Sequence, residues 1–150
     1  MKTALVTGAC INTGAAIVEK FLSEGYSVIF TGRSPEKVKS AETEYKKKFP
    51  EAAVIGYCIN SLKDERTVDE EAVEKLFAFM DGKKMLAETV VLNAADQGLE
   101  MEIFKNPLTD FMRVINTNMT WNYCICEYAA KRMKENGGGS IVFVNSNTAY

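Results

Sequence analysis

The chain has 150 residues, 47% apolar and 25% charged, with ten glycines, three prolines and a net charge of −2. This is the composition of one soluble globular domain, long enough to bury roughly two-thirds of its unfolded surface without a disulfide or metal staple. The near-neutral charge gives no basis for nucleic acid or an anionic membrane as partner. The lack of histidine excludes Ser-His-Asp triads, Cys-His dyads, HExxH zinc sites and C2H2 fingers.

In chain order, short β-branched runs alternate with longer helical patterns. Residues 4–7 read as a strand, followed by a helix over 14–24 with Ile17, Phe21 and Leu22 apolar and Gly25 as its stop. A second strand covers 27–30. Ser34 then caps a charged helix through Lys48, with Pro35 in its first turn and Lys46, Lys47 and Lys48 suiting the dipole at its end. Residues 53–59 form a third strand, and a helix over 69–80 places Val73, Leu76, Phe77 and Met80 on one face. Strand four is 89–92 and strand five 141–144; between them a helical region over 109–136 ends at Gly137, Gly138 and Gly139. Strands separated by helices of crossover length predict an α/β fold, a doubly wound parallel sheet in one domain over 1–150.

The four cysteines, Cys10, Cys58, Cys124 and Cys126, form no C-x-x-C, and the N-terminus is not signal-like. A reducing, cytoplasmic location is expected. Cys124 and Cys126 read as thiols inside a helix rather than metal ligands, and no metal is expected. No apolar run approaches the roughly 20 residues that cross a bilayer.

The most informative stretch is Thr7-Gly8-Ala9-Cys10-Ile11-Asn12-Thr13-Gly14-Ala15, where the first strand turns into the first helix. In a doubly wound sheet this turn borders the crevice where strand order reverses, and the helix amides face a bound pyrophosphate. Gly8 and Gly14 permit the sharp turn and close approach, and Asn12 is the non-glycine residue best suited to a left-handed backbone. Glycines at such turns also serve packing, so the loop alone is a weak signal.

With the later motifs, the chain resembles the short-chain dehydrogenase/reductase family. Thr7-Gly8-x-x-x-Asn12-x-Gly14 matches the family's TGxxxGxG with Asn at the middle glycine, and Leu92-Asn93-Ala94-Ala95 half-matches its Asn-Asn-Ala-Gly. Residues 111–118 are similar to its W-x-x-v-x-x-v-N and place Asn118 on the catalytic asparagine. Residues 139–146 are similar to its G-x-I-v-n-i-S-S and place Ser146 on the catalytic serine. The resemblance spans the whole chain and implies a Rossmann fold, with five strands present and the C-terminal strands beyond the given chain. It also implies cofactor contacts at Gly8, Cys10, Asn12, Thr13, Gly14, Asn60, Ser61, Asn93 and Ala94.

The end of the second strand distinguishes the two nicotinamide cofactors. A carboxylate there binds ribose hydroxyls and repels a 2′-phosphate, which a nearby arginine attracts. Here Gly32 stands where the family's NAD enzymes carry aspartate, and Arg33 follows. NADP(H) is expected over NAD(H). Ile11 argues the other way, because many NADP-preferring members have a basic residue in that part of the loop, and Arg33 could equally be an ordinary solvated residue.

In the family a Tyr-x-x-x-Lys pair supplies the proton donor and the cation that lowers its pKa. Tyr26, Tyr45, Tyr57, Tyr123 and Tyr128 have Phe30, Phe49, Ser61, Glu127 and Arg132 four residues on, and Tyr150 is the last residue. The expectation is the front part of a longer oxidoreductase, cut shortly before the tyrosine, because a chain ending after the fifth strand leaves an apolar parallel edge open. The resemblance implies a small-molecule carbonyl or alcohol substrate, such as a 3-oxoacyl thioester or small ketone, and a homodimer or homotetramer. Met101, Ile103 and Phe104 are candidates for the substrate border or for core packing. The alternatives are a non-catalytic nucleotide-binding or regulatory module and a methyltransferase; Gly32 and Arg33 argue against the latter.

Overall fold

In a computed structural model the described residues are 2–64, 66–98, 105 and 107–146. Strand β1 (Thr3–Val6) leads through the glycine loop into helix α1 (Asn12–Ser23), then β2 (Ser27–Gly32), α2 (Pro35–Lys48) and β3 (Val54–Cys58). A small antiparallel hairpin, β4 (Leu62–Asp64) and β5 (Thr67–Val68), precedes α3 (Glu70–Gly82) and β6 (Thr89–Leu92). Helix α4 (Leu108–Ile115), a π-helical turn (Asn116–Thr120) and α5 (Trp121–Glu135) follow one another directly, and the glycine-rich loop 136–139 leads to β7 (Ser140–Phe143).

The large sheet has the order β3-β2-β1-β6-β7 and is parallel throughout. The chain moves outward from β1 to β3 and then crosses back to β6, so the order reverses between β1 and β6. Alternation along the strands assigns their side chains to two cores. Ala4, Val6, Val28 and Phe30 pack with Val18, Leu22, Val38 and Tyr45 of α1 and α2. Leu5, Ile29, Val90 and Leu92 pack with Leu76, Phe77 and Ile125 of α3 and α5. Helices therefore cover both faces, as a parallel sheet requires. Arg132 ties α5 to α3 through the Asp81 carboxylate, at 2.7 Å from Nη2 to Oδ2, while lying over the Phe77 ring.

The five expected sheet strands are all present, within a few residues at their ends. Two features differ from the sequence expectation. The β4–β5 hairpin lies in a segment read as loop, because its strands are short and polar. The helical region expected over 109–136 is interrupted by the π-turn. There Asn and Thr side chains compete for local groups: Thr120 Oγ1 bonds Asn116 Oδ1 at 3.1 Å, and Asn122 Nδ2 donates to the Asn118 carbonyl at 2.8 Å. Among the described residues no helix is long and apolar enough to cross a membrane, and no group of His, Cys, Asp or Glu is placed to hold a metal ion.

Candidate functional site

At the carboxyl ends of β1, β2, β3 and β6 lies a cleft of about 470 Å³. Its back is the first loop, held by polar groups of the neighbouring strands. Thr7 Oγ1 accepts the amides of Asn93 and Ala94, each at 3.0 Å. Asn93 Nδ2 in return donates to the carbonyls of Thr7 and Gly8, at 3.1 and 2.9 Å. From the other side Thr31 Oγ1 accepts the Gly8 amide, and Tyr45 donates its hydroxyl to the Ala9 carbonyl at 2.6 Å. Burial pushes the Tyr45 hydroxyl up to about 12, so it stays a donor under all ordinary conditions.

The glycines have two different reasons. Gly8 has φ of +62°, and a Cβ there would lie 2.7 Å from the Ala94 Cα. Gly14 needs only space: a Cβ would meet the Gly8 carbonyl oxygen at 2.5 Å and Asn93 Nδ2 at 2.6 Å. Asn12 has φ of +52°, the left-handed conformation expected of it.

The amino terminus of α1 opens into this cleft without a cap. Ile11 occupies the N-cap position, makes no side-chain cap bond, and the first turn holds no acidic residue. Helices α2 and α3 differ: Ser34 and Asp69 accept the amides of Lys37 and Ala72. The α1 amides thus face the cleft together with the positive end of the helix dipole, an anion site in waiting. The opposite wall is Thr31, Gly32, Arg33, Ser34 and Lys37, with two cations and no carboxylate.

Of the expected contacts, Gly8, Cys10, Asn12, Thr13, Gly14, Arg33, Ser61, Asn93 and Ala94 line the cleft together. Asn60 is exposed and does not line it, whereas its neighbour Ile59 does. Thr31, Lys37, Asp96, Gln97, Thr117 and Trp121 also line it, although sequence reasoning did not single them out. The position of Thr31, beside Gly32 at the mouth of a strand, was the available signal.

The profile described as short chain dehydrogenase matches residues 2–150. The chain belongs to the short-chain dehydrogenase/reductase family. It is 30% identical over 147 residues to the 3alpha-hydroxysteroid dehydrogenase of Mediterraneibacter gnavus, covering 97% of this chain and 55% of that protein. It is also 30% identical over 149 residues to the 3-oxoacyl-(acyl-carrier-protein) reductase of Aquifex aeolicus, covering 99% and 57%. The L-sorbose reductase of Gluconobacter frateurii, solved in complex with NADPH and L-sorbose, superposes with a TM-score of 0.85 at 23% identity. That superposition covers 99% of this chain and 53% of that one and shows the shared Rossmann fold. The chain spans about half the length of the curated relatives it matches.

The two residues matched to the family's catalytic set lie apart from the phosphate end. Asn118 sits in the π-turn and clasps the backbone of Asp96: its Oδ1 accepts the Asp96 amide at 2.7 Å, and its Nδ2 donates to the Asp96 carbonyl at 2.8 Å. Asp96 in turn pairs with Arg113. Asn118 therefore anchors the segment leaving β6 to the helix that follows. Ser146 lies exposed beyond β7 and is not part of the cleft wall described above. Met101, Ile103, Phe104 and Tyr150 lie outside the described residues.

Proposed function

We propose that this chain is the NADP(H)-binding domain of an oxidoreductase that moves hydride between the nicotinamide and a small carbonyl or alcohol substrate. The observation that carries the reading is the uncapped, acid-free amino terminus of α1, opening into a cleft whose far wall bears Arg33 and Lys37 beside Gly32. The residues fit the cofactor. The α1 amides and the Gly8–Gly14 contact give a pyrophosphate room and donors. Arg33 gives a 2′-phosphate a charge-assisted partner, and Gly32 presents no carboxylate to repel it. When bound, the nicotinamide supplies the hydride chemistry. Ser61 and Thr117, whose hydroxyls lie 3.2 Å apart, border the cleft beyond β3, where the resemblance implies a cofactor contact at Ser61.

In this reading Ser146 polarises the substrate carbonyl, and Asn118 holds the turn that shapes the substrate side. The proton donor comes from a Tyr-x-x-x-Lys pair, which residues 1–150 do not contain. The names of the curated relatives support a 3-oxoacyl thioester or a hydroxysteroid as substrate class. The exposed apolar residues Leu108, Phe111, Met119 and Tyr123 support pairing of subunits through α4 and α5.

A second reading, a nucleotide-binding module without catalysis, is favoured by Asn118 itself, both of whose amide groups are engaged by the Asp96 backbone. Consumption of NADPH by the natural gene product with a panel of ketones and 3-oxoacyl thioesters separates the two. The oxidoreductase reading expects turnover that Ser146→Ala lowers at least about a hundredfold. NADPH binding with no turnover of any carbonyl would establish the module instead.

A further inference from the structure

A pair of thiols stands at the carboxyl end of β2, where the nucleotide reading uses only one of them. Gly32, the last residue of β2, pairs with Cys58, the last residue of β3. A Cβ on Gly32 would run into the Cys10 thiol and lie 2.9 Å from Val38 Cγ2, so Cys10 reaches from the first loop across the top of this glycine. A Cβ on Gly56 would meet the same valine, at 2.6 Å from Cγ1. Residues two apart in a strand share a face, so Cys58 presents its side chain to the α2 face, as Gly32 would. Paired strands lie about 4.8 Å apart, and no side chain on Gly32 separates the two sulfurs. Both cysteines are free thiols; Cys58 is exposed and Cys10 half-buried against the cleft.

We propose that Cys10 and Cys58 form a reversible redox pair whose disulfide, made under peroxide, closes the ribose-phosphate end of the cleft. The closure rests on the nucleotide reading above; the thiol pair itself does not. The exposed Cys58 sulfur attacks the peroxide, forming an S–O bond as the O–O bond breaks, and the leaving hydroxide takes the Cys58 thiol proton to depart as water. The Cys10 sulfur then attacks the Cys58 sulfenic acid, forming S–S as S–O breaks, and the released hydroxide takes the Cys10 proton to leave as a second water. Two thiols lose two electrons and two protons, and one peroxide becomes two waters. Burial and the nearby Cys58 push the Cys10 thiol above its ordinary range while Lys37 opposes them. Cys58 is thus the first to react, and Cys10 is the resolving thiol. The bond would hold the Cys10 sulfur over Gly32, beside Arg33, and fix the first loop against β3.

The experiment is peroxide treatment of the reduced chain, alkylation of remaining thiols and peptide mass spectrometry, with NADPH titration of each form. The expected result is a link between the Cys10 and Cys58 peptides, lighter by two hydrogens and reversed by dithiothreitol, with Cys124 and Cys126 still alkylated. NADPH affinity is expected to fall about tenfold or more on oxidation, and Cys58→Ser is expected to bind NADPH like the reduced protein and to ignore peroxide. Separate alkylation or separate over-oxidation of the two residues, or a link between two chains, overturns the pair. A Cys10–Cys58 link with unchanged NADPH affinity overturns the closure. A link formed in a chain that binds no NADPH even when reduced keeps the thiol pair but removes the closure together with the nucleotide reading.

Discussion

At the scale of single residues, the cleft depends on two contacts that leave no slack. Gly14 lies within α1, where alanine would gain up to about 1 kcal/mol of helix propensity. Against this, its Cβ would press on the Gly8 carbonyl, the Asn93 amide and, at 2.7 Å, the Ala9 Cα. These are backbone atoms or a side chain already committed to two hydrogen bonds, so none yields cheaply. Overpacking of this kind costs about 1–3 kcal/mol, and the clash wins. Gly14→Ala is expected to lower the denaturant midpoint and to weaken nucleotide binding; an unchanged midpoint would mean the loop is softer than its hydrogen bonds indicate.

Tyr45 is the second contact. Its phenylalanine variant leaves the buried Ala9 carbonyl without its partner, at a cost of about 1–3 kcal/mol. The pH dependence follows from the raised pKa. The unfolded tyrosine ionises near 10 and the folded one near 12, so the Tyr45 contribution is fully present below about pH 10 and is lost as pH rises through about 12. Urea titrations across that alkaline range should show a decline in the parent protein that Tyr45→Phe lacks; equal declines would contradict the assignment.

Among the elements, α1 is the one whose uncapped amino terminus opens into the cleft. Helices α2 and α3 carry side-chain caps, whereas α1 begins on Ile11, a poor N-cap that is 58% exposed. A missing cap costs the free protein stability and leaves donors for an anion. Ile11→Asp should therefore stabilise the nucleotide-free chain by about 0.5–2 kcal/mol. The same variant should weaken NADPH binding about tenfold or more, because its carboxylate takes the amides and repels the pyrophosphate. Thermal melts with and without nucleotide check both halves. A variant that is more stable and binds NADPH as tightly as the parent would show that the α1 terminus is not the phosphate site.

The elements also mark how far the sequence could be read. The β1–α1 loop was legible because its chemistry is local: a left-handed backbone calls for Asn or Gly at residue 12, and close approach calls for Gly at 8 and 14. The polar side of the cleft was less so. Thr31 and Thr7 act by accepting amides from strands distant in sequence, and Asn118 by clasping Asp96, which appear only once the sheet is assembled. Asn60 shows the converse, a position transferred by resemblance that faces solvent. The π-turn and the β4–β5 hairpin were hidden because neither has a hydrophobic period.

For the whole molecule, the parallel sheet and its helical layers were the most legible features, since each sheet strand is a short apolar, β-branched run and the helices over 14–24 and 69–80 show an apolar face. What the fold leaves uncovered is equally informative. Phe143 and its neighbours Val142 and Val144 are 53%, 46% and 41% exposed, although β6 beside them is buried. On the helical side, Leu108, Phe111, Met119 and Tyr123 each expose apolar surface along α4, the π-turn and the start of α5. If that surface joins subunits, sedimentation should show an oligomer that Phe111→Glu dissociates without loss of helical signal. A monomeric parent protein would remove the subunit reading.

The central claim is that the cleft at the carboxyl ends of β1, β2, β3 and β6 takes NADP(H). Trp121, the sole tryptophan, lines that cleft and reports on it directly. The deciding measurement is titration of the chain with NADPH and with NADH, following Trp121 and nicotinamide fluorescence, in the parent and in Arg33→Ala. The account predicts tighter binding of NADPH, with Arg33→Ala losing about 1–3 kcal/mol of that affinity and little for NADH. Equal or tighter binding of NADH, or an Arg33→Ala variant with undiminished NADPH affinity, would contradict it.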